Sequence, residues 1–171
     1  MQGKQAVNVP ALTIGATQRD NGEMLMSKTT IVVGLDGSEA GKRALDFAKE
    51  QAKGIGDCTV AIVYVIEWSP FSFQTPEENE ERHKRREEEL KLAHERVLDP
   101  AVAQAKEAGL EVIGIVKHGD VADILDATAK KHGASQIVVG RVGVRGLKER
   151  VFGGVTGRLA AGASVPLTII P

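Results

Sequence analysis

Glycines and basic residues concentrate between positions 140 and 158, with a spacing that suits phosphate binding. Gly140 and Gly143 are followed, after nine intervening residues, by Gly153 and Gly154. A helix predicted to begin near Gly154 would place free backbone N–H groups beside this loop, where they can donate to an anion. The same stretch holds five basic side chains and one acidic side chain, whereas the whole chain carries a net charge of -1. This local positive excess favours an anion here.

The loop does not match the two commonest nucleotide motifs. A Walker loop requires Gly-Lys-Ser/Thr, which is absent, and the first apolar run is followed by Gly34-Leu-Asp-Gly-Ser38, not by G-x-G-x-x-G. NTPase and dehydrogenase functions of the usual kind are therefore disfavoured. On the loop alone, a simpler interpretation stays open, in which the glycines only form turns and the arginines are solvated.

Asp36 is the second candidate for chemistry. It follows the first apolar run and precedes Gly37, so a turn residue or helix cap is one interpretation and a ligand contact is the other. Its predicted position, directly after a strand of the sheet, is compatible with a role in the turn and with a role in ligand binding.

Five short apolar runs rich in β-branched residues alternate with helical patterns. Such continuous apolarity indicates parallel strands that are buried on both faces. Ser38 and Asp120 are predicted helix caps, with ends near Gly54 and Gly133, and a last helix runs from about Gly154. A highly charged segment at 77–96 predicts a solvated helix, interrupted at 99–100 by a kink or a new start. The apolar runs lie at 31–35, 59–66, 110–116, 136–139 and 167–170.

These elements predict an α/β fold, a doubly wound sandwich with a five-stranded parallel sheet in the order 3-2-1-4-5. Ligands bind such sheets at the carboxyl ends of the strands, where the winding direction reverses. The reversal falls between the first and fourth strands. The segments that follow Leu35 and Val139 should therefore meet there, which brings Asp36 next to the glycine-rich loop.

The sequence resembles the universal stress protein family over about residues 29 to 171. The likeness rests on Val32-Val-Gly-Leu-Asp-Gly-Ser38, on the G-x2-G-x9-G pattern, and on Val165-Pro-Leu-Thr-Ile169. It implies a nucleotide-binding α-hydrolase-like fold and, in the ATP-binding branch, a site at these motifs. The resemblance implies Asp36 at the ribose or adenine edge, Val65 at adenine and Val139 as a further nucleotide-binding residue. It implies phosphate and ribose contacts from Gly140, Gly143, Gly153, Gly154, Val155 and Thr156.

One position departs from that pattern. The family motif closes with Gly-Ser or Gly-Thr, whereas this chain has Gly153-Gly154. Losing one hydrogen bond to a charged oxygen costs about 1.5 to 3 kcal/mol, or roughly tenfold to a hundredfold in affinity. The backbone N–H of Gly154 remains, and Thr156 offers a hydroxyl in the first turn of the helix. We expect weakened binding, not its loss.

Composition excludes several classes of function. A near-neutral chain offers no field for nucleic acid, and no apolar stretch is long enough to span a membrane. The single cysteine, Cys58, cannot form an internal disulfide, which fits the cytoplasm. We interpret residues 1–27 as an N-terminal extension, expected to be flexible, and 28–171 as one universal stress protein domain.

The prediction is a regulatory, homodimeric binding module for ATP, with little or slow hydrolysis. The sequence shows no catalytic residue or metal cluster near the loop, and Mg2+ would be held through the nucleotide. The resemblance implies pairing of two copies through the last strand. Three alternatives stay open: a family member that acts through protein contacts without nucleotide, a cyclic-nucleotide binder, and an ATPase or nucleotidyl-transfer enzyme.

Overall fold

The protein is described by a computed structural model that covers residues 16–18, 24–26, 28–67, 76–141 and 154–171, with the backbone alone at 16–18, 24–26 and 76–83. The segment predicted as an extension contains two short strands, β1 (Ala16–Gln18) and β2 (Met24–Met26). They pair antiparallel, with Thr17 opposite Leu25. The predicted extension therefore includes paired backbone.

A five-stranded sheet forms the centre of the fold, and all its neighbouring strands are parallel. Its order is β5-β4-β3-β6-β7. Counted along the chain within this sheet, that is 3-2-1-4-5, so the predicted doubly wound topology is confirmed. The strands are β3 (Thr29–Leu35), β4 (Cys58–Glu67), β5 (Glu111–Gly119), β6 (Gln136–Gly140) and β7 (Leu167–Ile170).

Helices cover both faces of the sheet and create two cores. One core packs α1 and α3 against side chains such as Ile31, Val33 and Ile62, and the other packs α4 and α5 against Val32, Val63 and Ile137. Each central strand thus buries alternate side chains on opposite faces, which explains its unbroken apolar sequence. The helices are α1 (Glu39–Ile55), α2 (Pro76–Ala93), α3 (Asp99–Glu107), α4 (Val121–His132) and α5 (Val155–Gly162).

Local capping fixes where the helices next to the carboxyl edge begin. Ser38 accepts a hydrogen bond from the amide of Gly41, and Asp120 accepts one from the amide of Asp123. Both predicted N-caps are confirmed, as is the end of α4 at Gly133, which is left-handed. The prediction for the end of α1 was wrong by two residues. The helix passes Gly54, and Gly56 at φ 86° is its C-cap.

A π-helical turn, His94–Leu98, joins α2 to α3. Pro100 lacks an N–H and cannot continue the ordinary helical pattern, and the amide of Asp99 bonds instead to the carbonyl of His94. The helical backbone therefore continues from α2 into α3 through the π turn, and α3 begins with Pro100 in its first turn. The turn directs Leu98 inward to 1% exposure.

Candidate functional site

The two motif segments meet at the carboxyl edge of the sheet. β3 and β6 are neighbours, with Val33 opposite Val138. Extending this register brings Asp36, the first residue after β3, level with Arg141, the first after β6. The helices that follow β3 and β5 lie on opposite faces here, so this is the point where the winding reverses.

Gly140 allows the two segments to approach closely. A Cβ placed on Gly140 would lie 2.7 Å from the carbonyl carbon and 2.8 Å from the Cβ of Ala40, in the first turn of α1. Any side chain at 140 would therefore displace helix backbone. The first glycine of the motif is required by helix-to-strand packing, independently of a ligand.

Asp36 organises the turn between β3 and α1. Its Oδ1 accepts hydrogen bonds from the amide of Ser38 at 3.0 Å and from the hydroxyl of Ser38 at 2.6 Å. Gly37, at φ 78°, reverses the chain between them. A Cβ on Gly41 would lie 2.5 Å from the same Oδ1, so Gly41 leaves room for the carboxylate above the helix start. The turn interpretation of Asp36 is confirmed, and its ligand role stays a prediction.

Val65 and Val139 lie on the same face of the sheet, the one covered by α4 and α5. Val65 is half-buried near the end of β4, level with Lys117 of β5. Val139 is 5% exposed and belongs to the core. Of the two side chains, Val65 is the one that a ligand at the edge could reach.

The backbone amides in the first turn of α5 donate no hydrogen bond to a side chain of the N-cap residue, because that residue is glycine. Gly154 is the N-cap, with φ -67° and ψ 170°, values that any residue adopts. It is exposed, and a Cβ on it would meet nothing within 4 Å. Val155 and Thr156 follow, half-buried. Gly143 and Gly153, two further predicted contacts, lie outside the described residues.

Two carboxylates, one at the start of α4 and one within it, contact α5 and the residues that follow it. Asp120, the N-cap of α4, forms an ion pair with Arg158 in the first half of α5, and Asp126 binds the amide and hydroxyl of Ser164 at 2.7 and 2.6 Å. α5 has only eight residues and one fully buried side chain, Leu159. The Ser164 contact therefore complements a small apolar contact at the end of α5, and the Arg158 pair joins the first half of α5 to the start of α4.

Both carboxylates are stabilised in their ionised form. Burial opposes ionisation of Asp120, but hydrogen bonds from Arg158 and from the amide of Asp123 outweigh it and lower the pKa of this carboxyl. For Asp126, hydrogen bonds from Lys130 and then from Ser164 lower the pKa to about 2. The two anchors of α5 therefore carry negative charge at neutral pH.

The anchor at Asp126 predicts a pH dependence of stability. Because its pKa is lower in the folded protein than the ordinary value of 3.8, its contribution is complete above about pH 4 and disappears as the pH falls towards 2. We expect Asp126→Asn to lower the free energy of unfolding by about 1 to 2 kcal/mol at pH 7. Urea titrations of both proteins at pH 7, 4 and 2.5 measure this. A difference that stays constant across these pH values would contradict the assignment.

Sequence patterns missed several residues that shape this edge. Gly41 lies in an ordinary helical position, and only its distance to Asp36 shows its role. Asp120 was predicted as a cap and Arg158 only as part of a basic cluster; their pairing spans 38 positions. The sequence offered one signal for this ion pair: an acidic N-cap on one helix, Asp120, and a basic residue in the first half of another, Arg158, on the same predicted face of the sheet.

Neither a metal cluster nor a membrane span occurs in the described part of the chain. There, no group of three or more histidine, cysteine, aspartate or glutamate side chains is arranged to hold a metal ion. The helices that the structure describes are too short or too polar to cross a bilayer. The predicted absence of a protein-held metal stays a prediction.

A family model described as the universal stress protein family matches residues 28–171 of the chain. A universal stress protein of Bacillus subtilis, YxiE, is 31% identical over 148 residues, which are 82% of this chain and 97% of the relative. One from Methanocaldococcus jannaschii is 32% identical over 154 residues, 88% and 85% of the two chains.

Solved structures of such proteins have the same fold. The universal stress protein UspA from Lactobacillus plantarum superposes with a TM-score of 0.67 at 21% identity, over 84% of this chain and 98% of the other. A universal stress protein in complex with cAMP gives 0.61 at 24% identity, over 84% and 97%. One from Arabidopsis thaliana with AMP bound gives 0.55 at 20% identity, over 83% and 90%.

Proposed function

We propose, because the chain belongs to the universal stress protein family, that it is a regulatory module of the cytoplasm that binds an adenine nucleotide, with ATP as the expected ligand. The observation that carries the proposal is the meeting of the Asp36 turn with the end of β6 at the point where the winding reverses. The amides of the first turn of α5, which donate no hydrogen bond to an N-cap side chain, follow the same loop in the sequence. This combination supplies donors for phosphate and a polar edge for a nucleoside.

The predicted residues divide by chemistry. Backbone N–H groups at Gly154, Val155 and Thr156 would receive the phosphates, with Gly143 and Gly153 in the loop before them. The carboxylate of Asp36, whose Oδ1 holds the turn, would accept hydrogen bonds from the ribose hydroxyls. Val65, half-buried beside this turn, would contact the adenine ring. Two relatives in fold whose structures hold cAMP and AMP support an adenine nucleotide as the class of ligand.

Any Mg2+ would come with the nucleotide. Within the described ranges the chain offers no cluster of acidic and histidine side chains for a resident ion. The triphosphate itself provides hard oxygen ligands, and Mg2+ keeps several waters in such complexes. The metal would neutralise phosphate charge and would be released together with the ligand.

Binding, with little or slow hydrolysis, is the activity that we assign. Asp36 accepts hydrogen bonds from Ser38 within its turn, so its carboxylate serves the turn and is not placed as a general base. Isothermal titration calorimetry with ATP and Mg2+ tests the proposal, and we expect saturable binding with one nucleotide per chain. No heat of binding at millimolar ATP would contradict it. Turnover above about 1 s⁻¹ would indicate an enzyme instead.

Two copies of the chain are expected to pair through β7. This strand ends the sheet, and the side chain of Ile169 is 40% exposed on it. Ile169→Lys should place a charge at the contact and shift the protein from dimer to monomer, as measured by analytical ultracentrifugation. Ile55→Lys, at a 44% exposed position at the end of α1, is the matched control and should leave the dimer intact. A monomeric wild type would contradict the pairing.

A second candidate function follows from Gly154. Because this position lacks the hydroxyl of the family motif, the chain could have lost nucleotide binding and act through protein contacts. The cAMP complex of one relative in fold suggests a third, a cyclic nucleotide. Titrations with cAMP and AMP alongside ATP separate these cases, since a protein of the second kind would bind none of the three.

A further inference from the structure

Arg158 occupies an electrostatically unusual position. Its amide bonds to the carbonyl of Gly154 at 3.1 Å, so it lies one turn from the start of α5, where the helix dipole presents its positive end. A cation is disfavoured there unless an anion accompanies it. The anion that the described part of the chain supplies is Asp120, at the start of the neighbouring helix.

Asp120 is itself placed as an anion would be at a helix start. Its carboxylate accepts from the amide of Asp123 at 3.1 Å and from the guanidinium of Arg158. The pair thus joins the positive ends of α4 and α5 at the carboxyl edge of the sheet. The carboxylate of Asp120 therefore occupies a position where a backbone amide of α4 and the guanidinium of Arg158 both donate hydrogen bonds.

The pair is open to exchange with a ligand. The side chain of Arg158 is 44% exposed and that of Asp120 is 36% exposed, and solvent-accessible ion pairs of this kind hold their partners weakly. A phosphate group offers the arginine more charge and a bidentate geometry. A nucleotide bound at the start of α5 would bring such groups within one helical turn of Arg158.

We propose that Arg158 makes the site selective for nucleoside di- and triphosphates over monophosphates. In the free protein Arg158 forms an ion pair with Asp120, and in the complex it binds the outer phosphates of the nucleotide instead. The inference rests on the proposed nucleotide function and extends it to a preference for polyphosphates over monophosphates. A monophosphate, bound through the backbone amides of α5 alone, leaves the ion pair in place. Asp120 acts as an internal competitor.

Calorimetry with ATP, ADP and AMP at low ionic strength tests this with three variants. Arg158→Gln should lower ATP affinity about tenfold and AMP affinity less than about twofold, because only the polyphosphate loses a charge-assisted contact. Arg158→Lys, which keeps the charge, should recover part of the ATP affinity. Asp120→Asn, which keeps a good helix cap, should raise ATP affinity about three- to tenfold by freeing the arginine.

Lys91→Gln is the matched control. Lys91 lies in an exposed ion pair with Glu95 on α2, so the substitution changes the net charge equally without touching this edge. It should leave all three affinities unchanged. Thermal unfolding of each variant confirms that the fold is intact.

The outcomes are distinct. Suppose that the wild type binds ATP. If Arg158→Gln then lowers the affinities for ATP and AMP by the same factor, or leaves both unchanged, the inference is wrong while the proposed function stands. If Asp120→Asn weakens ATP binding as Arg158→Gln does, the pair positions α5 and does not compete with the ligand. If the wild type binds no nucleotide, the proposed function fails and this inference fails with it.

Discussion

Replacing Gly140 by alanine is expected to destabilise the protein by about 1 to 3 kcal/mol, although the substitution adds a single methyl group. The added carbon would lie 2.7 Å from the carbonyl carbon, 2.8 Å from the Cβ and 2.9 Å from the carbonyl oxygen of Ala40. Two of these three atoms belong to helix backbone, which cannot move aside as the end of a long side chain can. The first turn of α1 must therefore shift away from β6.

The shift should also impair ligand binding, since α1 begins directly after the Asp36 turn. Ser38 connects the two, because its hydroxyl donates to Asp36 and accepts from the amide of Gly41. Urea unfolding measures the loss of stability, and calorimetry with ATP measures the second effect on protein that is still folded. We expect the affinity of Gly140→Ala for ATP to fall by more than the decrease in the folded fraction of the protein can explain.

Gly157→Ala supplies the control for this experiment. It makes the same chemical change in α5, at an exposed position where a Cβ would meet nothing within 4 Å. Alanine favours helix over glycine, so this variant should be as stable as the wild type or more stable by up to about 1 kcal/mol. Equal stability of Gly140→Ala and Gly157→Ala would refute the packing role of Gly140.

The sheet could be predicted from the sequence because its central strands, β3, β4 and β6, are buried on both faces. Burial on both sides requires apolar side chains at every position, and runs such as 31–35 satisfy this without ambiguity. Caps are local as well, so Ser38 and Asp120 could be identified from the residues that follow them. The order of the strands then follows from right-handed crossovers and from the family pattern.

The details of the site could be predicted only in part. Spacing placed Asp36 and Gly140 at one edge, but it did not reveal that Gly140 contacts Ala40 across the sheet-to-helix interface. Contacts of this kind depend on interaxial distance, which no local pattern encodes. The pairing of Asp120 with Arg158 depends in the same way on how two helices that are distant in sequence lie side by side.

The missing hydroxyl at position 154 leads to the second large effect, a gain in affinity. Gly154→Ser should strengthen ATP binding about tenfold to a hundredfold, the value of one hydrogen bond to a charged oxygen. The structure gives the substitution no steric cost, because a Cβ would meet nothing within 4 Å and φ of -67° is ordinary for serine. Serine also favours this cap position, so stability should rise by a few tenths of a kcal/mol.

Gly154→Ala distinguishes the hydroxyl from the backbone. Alanine restricts the chain as serine does but offers no donor, so its ATP affinity should stay within about twofold of the wild type, while its stability falls by about 0.5 kcal/mol because it caps poorly. Calorimetry on all three proteins under one buffer condition gives the comparison. An increase shared by alanine and serine would assign the effect to backbone restriction. No increase with serine would mean that the phosphates do not lie at the start of α5, where the exposed N-cap Gly154 has no side chain to offer them.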